Sequence, residues 1–187
     1  MNRFFAIFLL LCFTATVLQS SEPRKNAIRT TFLSFATGSA KLSYERSLTY
    51  RHSAEITGGV IGWGFDGQGN RPRGGLLRYA HKFFLNSKPA FPMDGFYLKP
   101  EFALSNFNYD QQNGAGRKKS TMGALMACGG YQWTRRLLSI DGFVGAGAAG
   151  GNEVDTYYEH GFILWDFFGT QRKNIALTFG VKVGVAF

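Results

Sequence analysis

Beyond Ser21 the chain has no apolar run long enough for a membrane helix. It shows instead segments of about ten residues in which apolar and polar side chains alternate with period two. Clusters of Gly, Asn, Asp and Pro separate them. The last segment is the cleanest: Leu177, Phe179, Val181, Val183, Val185 and Phe187 oppose Thr178, Gly180, Lys182 and Gly184. Over 40–48, Leu42, Tyr44 and Leu48 oppose Lys41, Ser43, Glu45 and Ser47, with Arg46 an exception on the apolar side. Over 53–65, Ala54, Ile56 and Val60 oppose Glu55, Thr57 and Trp63; over 75–84, Leu77, Tyr79 and Phe83 oppose Arg78, Ala80 and Lys82. Over 96–105, Phe96, Leu98, Phe102 and Leu104 oppose Lys99, Glu101 and Ser105; over 140–148, Ile140, Val144 and Ala146 oppose Asp141 and Gly145. Weaker alternation at 26–36 and 121–133 brings the prediction to eight strands.

The connections also alternate. Gaps 49–52, 86–94 and 134–138 are short on the whole, whereas 66–73, 110–119 and 152–173 are longer, more polar and more charged. Gap 37–39 is tight and breaks the trend. Eight up-and-down strands with both ends on one side place the long gaps together on the other, as in outer-membrane barrels. Alternation gives no direction by itself, because a soluble barrel keeps its apolar face inside and a membrane barrel turns it outward. Here the polar face is rich in Ser, Thr and Gly, with too few charges for a wet surface but a good fit to a narrow interior. Tyr44, Tyr79, Phe83, Phe84, Phe96, Tyr97, Tyr131 and Trp133 gather near strand ends, where girdles meet the headgroups. The expected fold is therefore all-β: an eight-stranded antiparallel up-and-down transmembrane β-barrel over 21–187.

Composition sharpens this reading. Nineteen Phe, eight Tyr and three Trp exclude a disordered chain. Residues 1–20 pair a basic start at Arg3 with an apolar run, and the small residues Ser20 and Ser21 stand at its exit, which predicts a secretory signal peptide over 1–20. Cys12 would leave with it, so Cys128 would remain alone and no internal disulfide could form. The formal charge of +9 would fall to +8 once Arg3 is removed. Such a surplus suits an anionic partner, and export argues against nucleic acid.

The pieces Asn26-Ala27-Ile28-Arg29-Thr30, Leu42-Ser43-Tyr44-Glu45, Gly95-Phe96-Tyr97-Leu98-Lys99-Pro100-Glu101 and Gly130-Tyr131-Gln132-Trp133, together with Phe187, spread over nearly the whole mature chain. In these the chain resembles small outer-membrane β-barrel proteins of the Bacteroidetes type, a family largely of unknown function, and more loosely the OmpA and OmpX barrels. The resemblance implies a monomer in the outer membrane of a Gram-negative bacterium, without a cofactor. It also implies that Phe187 serves as a signal to the barrel-assembly machinery.

With apolar faces toward lipid, the inward charges are expected to be Lys41, Glu45, Glu55, Arg78, Lys82, Lys99, Glu101, Asp141 and Lys182. Charges in a narrow interior must pair, which makes a salt-bridge plug the leading expectation and a gated ion path the alternative. Arg71, Arg73, Arg117, Lys118, Lys119, Arg172 and Lys173 in the outer loops are suited to lipopolysaccharide phosphates. A lipid-trimming Ser–His pair on one strand face needs a two-residue spacing, and no Ser stands two residues from His52, His81 or His160. No catalytic constellation and no Cys/His metal spacing are found, although His160 stands near Asp155 and Glu159. Gly145 to Gly150 matches the dinucleotide fingerprint but sits in antiparallel surroundings that fit no βαβ unit. The expected role is structural or surface-interactive, with loops facing lipopolysaccharide or an external partner; a narrow channel or a lipid-modifying enzyme are the other readings. Residues 157–168 are too apolar for a free loop and are expected to extend a strand or cap the mouth.

Overall fold

The computed structural model describes residues 24–63, 71–110, 116–152, 162–165 and 174–187. The strands are β1 (Asn26–Thr31), β2 (Ser39–Ser47), β3 (His52–Ile61), β4 (Arg73–Phe84), β5 (Gly95–Asp110), β6 (Arg117–Arg135), β7 (Leu138–Gly151), β8 (Ile163–Trp165) and β9 (Ile175–Ala186). Each of β1 to β7 pairs antiparallel with its neighbour in sequence, β7 pairs with β9, and β9 pairs with β1. The result is a closed eight-stranded ring. Closure pairs the ring strands on both sides through most of their length, with β1 stopping early and β6 running past its β7 partners from Arg117.

The period-two pattern forms the strands because one face of each can be apolar and the other polar without conflict. On β9, Thr178 and Lys182 are buried while Phe179 and Val181 stand 62% and 40% exposed. The other strands sort in the same way: Arg78 and Lys82 inward against Leu77 and Tyr79 outward, Lys99 and Glu101 inward against Leu98 and Phe102 outward. On these strands the charged side chains point inside and greasy ones outside, the reverse of a water-soluble barrel.

Several expectations are corrected. Strand β1 ends at Thr31 rather than reaching residue 36, and Phe32–Thr37 forms a 3-10 turn. Phe32-Leu33-Ser34-Phe35 lacks alternation, and the Ser34 hydroxyl donates to the Thr31 carbonyl at 2.7 Å, a local bond that competes with strand pairing. Gly38, at φ 73°, then turns the chain into β2. Strand β3 stops at Ile61; Gly62 at φ 91° resets the direction, so Trp63 stands 61% exposed instead of inside. Strands β5 and β6 run for 16 and 19 residues, so the Asp110–Arg117 connection is shorter than expected and Arg117, Lys118 and Lys119 lie on β6. Tyr97 and Phe84 are buried inside rather than in an outer girdle. Of segment 157–168, Ile163–Trp165 is a strand extension on β9, at Leu177 to Ile175 and beyond the point where β1 has ended opposite Lys182. The expected signal segment, residues 1–20, lies outside the described residues.

Candidate functional site

The interior contains three layers. Toward the end with the short turns, Ala27, Phe84, Met93, Tyr97, Phe143 and Ala186 form an apolar floor. Toward the opposite end, Ala103, Met122, Ala124, Met126, Cys128, Phe162, Leu164 and Ala176 pack together, beside a second cluster of Ile61, Leu76, Phe107 and Tyr109. Between them lies an ionic layer. All nine charges expected inside are there, and Arg29 joins them, giving six cations and four carboxylates among the described residues, each at most 8% exposed.

Glu55 is the hub. It takes Lys182 in a short contact, Lys82 at 3.2 Å, Arg29 at 3.4 Å and Lys99 at 3.8 Å. Glu45 accepts from Arg29 at 2.5 Å and Lys82 at 2.9 Å, and Ser53 donates to its other oxygen. Lys82 also reaches Asp141 at 2.8 Å and the Gln132 carbonyl oxygen at 2.9 Å. Glu101 receives Lys99 at 2.6 Å and Arg78 in a short contact. Side chains from all eight strands of the ring thus meet in one cluster. Charges removed from water at this depth are tolerable only when paired and hydrogen-bonded, and losing one partner strands the rest.

Cations outnumber carboxylates, and an aromatic ring takes up part of the surplus. Above Phe143 stand Lys99 at 4.4 Å and Lys182 at 4.9 Å from the ring centre, with the Arg78 guanidinium at 5.9 Å. The negative face of the ring attracts them, more strongly once water is excluded. Tyr97 works similarly on Lys82, 4.6 Å from its ring, while its hydroxyl donates to Asp141 at 2.6 Å. Gly130 makes room for it: a Cβ there would stand 2.4 Å from the Tyr97 hydroxyl. Lys41 departs from the expectation that every inward charge is paired. It is buried at the side of the cluster with no ion pair among the described residues.

Arg29, Tyr97 and Gln132 are the residues the sequence reading missed. Arg29 had a signal, since Ile28 outward implies Arg29 inward, but β1 is only six residues long and its alternation is weak. Arg29 also ties the closing strand to the ring, donating from Nε to Ser139 on β7 at 2.9 Å and from Nη1 to Glu45 on β2.

The remaining candidates do not form a site. Arg71, Arg73, Arg117, Lys118 and Lys119 are exposed around the long-loop end, with Arg117 3.6 Å from Asp110; Arg172 and Lys173 lie outside the described residues. His160 with Asp155 and Glu159 also lies outside them. Ser53 is buried in the lumen while His52 faces outward, so they do not act together; the His52 and His81 rings lie 5.7 Å apart and tilted by 51°. Among the described residues no group of three His, Cys, Asp or Glu side chains is placed to hold a metal ion, the carboxylates that converge in the lumen being occupied by Lys82 and its fellow cations. The 145–150 glycine run lies within β7, and a Cβ at Gly145 would stand 2.3 Å from the Cys128 sulfur. Close packing between strands accounts for that glycine. Phe187 faces outward, and its backbone pairs with that of Asn26 at 2.8 and 3.0 Å.

These features define a class: a closed eight-stranded antiparallel barrel with an ionic cluster in its interior and greasy side chains on its outer face. No family model matches the chain, and comparison with curated proteins finds no match. Among solved structures it is similar to the N-terminal beta-barrel domain of Pseudomonas aeruginosa OprF, at 16% identity and a TM-score of 0.46, covering 87% of this chain and 94% of that one.

Proposed function

We propose that the protein is an outer-membrane β-barrel with a structural or surface-interaction role, presenting its long-loop end to lipopolysaccharide or another external partner. The observation that carries this reading is the outward exposure of greasy side chains on the strands whose charges point inward, summarised by β9: Lys182 inside the ionic cluster, Phe179 and Val181 facing out. Lipid solvates such an outer surface well and water does not. A structural role is favoured over conduction because the interior is filled by the Glu45, Glu55 and Asp141 cluster between two apolar layers. An eight-stranded ring leaves room for little more than its own side chains. Arg71, Arg73, Arg117, Lys118 and Lys119 supply forked or point-charge donors for lipopolysaccharide phosphates at that end.

Refolding from urea into detergent micelles and into phospholipid vesicles tests the reading. The expected result is a band that migrates faster before boiling than after, floats with vesicles and gives no conductance steps in a planar bilayer. A protein that stays monodisperse in buffer without detergent would sink the membrane assignment, and regular unitary steps would sink the sealed interior.

A further inference from the structure

The basic surplus of this chain is not where the long loops are. By sequence, residues 62–73, 110–119 and 152–174 at the long-loop end carry seven basic and six acidic side chains, which nearly cancel. The short-turn end carries Arg24, Lys25, Arg46, Arg51, Lys88, Arg135 and Arg136 against Asp94 in residues 24–26, 46–52, 85–94 and 134–138. Among the described residues only Arg135 of this group has an ion pair, 3.3 Å from Asp94.

These cations are interleaved with exposed apolar groups. Leu48, Leu85 and Phe91 are all more than half exposed; Arg51 stands over the Tyr50 ring at 5.3 Å and Arg135 over Phe91 at 5.3 Å. A rim facing only water has no use for such greasy side chains, whereas a headgroup layer meets both kinds. One spot is built as a recess. Register places Asn26 opposite Arg46, and Ser47 donates its N–H to the Lys25 carbonyl at 2.7 Å, so the backbones carrying Lys25 and Arg46 run side by side. They flank a pocket of ≈ 590 Å³ walled by Leu48, Tyr50, Pro89 and Pro92. Nearby in the chain, one guanidinium nitrogen of Arg24 is buried without a hydrogen-bond partner.

We propose that this recess holds the phosphate of an anionic phospholipid in the leaflet at the short-turn end. Lys25 and Arg46 are its ligands, and Leu48, Pro89 and Pro92 lie against the upper acyl chain. The proposal rests on the membrane reading above. Guanidinium and ammonium groups both suit a phosphate, and the surrounding basic residues add the long-range attraction expected of a cationic cluster at an anionic surface. The apolar walls favour a lipid over a soluble polyanion, which would gain nothing from them.

Native mass spectrometry of the full chain, refolded in detergent and incubated with equal phosphatidylglycerol and phosphatidylcholine, provides the test. Wild type is expected to retain phosphatidylglycerol several-fold in excess, K25Q/R46Q to lose most of that preference, and K118Q/K119Q at the far end to keep it. Inorganic phosphate at matched concentration is expected to leave retention intact. Equal retention of the two lipids, an unchanged K25Q/R46Q, or full displacement by inorganic phosphate or by heparin would overturn the proposal. Gel migration before and after boiling confirms that each variant is folded, and R51Q/R136Q, which spares the recess, should weaken the preference less. Flotation with pure phosphatidylcholine vesicles separates the two ideas: no insertion refutes the membrane reading itself, while insertion without lipid preference refutes only this site.

Discussion

The ionic layer and the apolar layer beyond it occupy the same ring of strands and obey the same alternation, yet they are held differently. In the ionic layer, Glu45, Glu55, Glu101 and Asp141 each answer more than one cation or donor, and contacts leap between strands far apart in sequence, such as Lys182 to Glu55. Met122, Met126, Phe162 and Leu164 in the apolar layer fill space without direction. Directional contacts pin register, since a one-residue slip would turn the whole inward row out of the ring. Packing contacts tolerate more adjustment, Met especially. The ring is therefore fixed at its ionic middle layer and filled, more permissively, toward the long loops.

The comparison can be broken most forcefully at its hub. Glu55→Gln should cost about 3–5 kcal/mol, because four cations lose a shared carboxylate in a dry interior; the urea midpoint of unfolding in vesicles measures it, and a loss under about 1 kcal/mol would refute the hub assignment. Leu164→Ala in the other layer should cost about 2 kcal/mol, the low end for a buried leucine, because β8 can yield without opening the ring. Tyr97→Phe removes the donor to Asp141 while leaving the ring beneath Lys82, with an expected loss of about 1.5 kcal/mol. Lys41→Met should change stability least, within about 0.5 kcal/mol or in the stabilising direction, since it removes a buried charge that has no ion pair. A Lys41→Met loss matching that of Glu55→Gln would mean that Lys41 belongs to the network after all.

Much of this was legible in the chain. Strict alternation on β2, β4, β5 and β9 assigns every inward charge on those strands to the correct side, including Lys182 against Val181. Tyr97 and Phe84 show the limit. Both share parity with inward lysines, Tyr97 with Lys99 and Phe84 with Lys82, but their chemistry suggested a girdle. Parity decides, because a strand cannot turn one side chain against its neighbours without a bulge. Trp63 fails for the opposite reason: Gly62 at positive φ breaks parity just before it. Which inward charge finds which partner is not written in any single strand. It depends on how the tilted ring staggers distant strands, and that stagger is what leaves Lys41 aside while drawing Arg29 to the centre.

Cys128 points into the ring on β6, tucked against Gly145 of the neighbouring strand, and it is the lone thiol among the described residues. A bulky water-soluble maleimide therefore has no route to that sulfur while the staves stay joined. Alkylation of the folded protein becomes a clock for how often the wall parts, read as added mass without a dye or a denaturant.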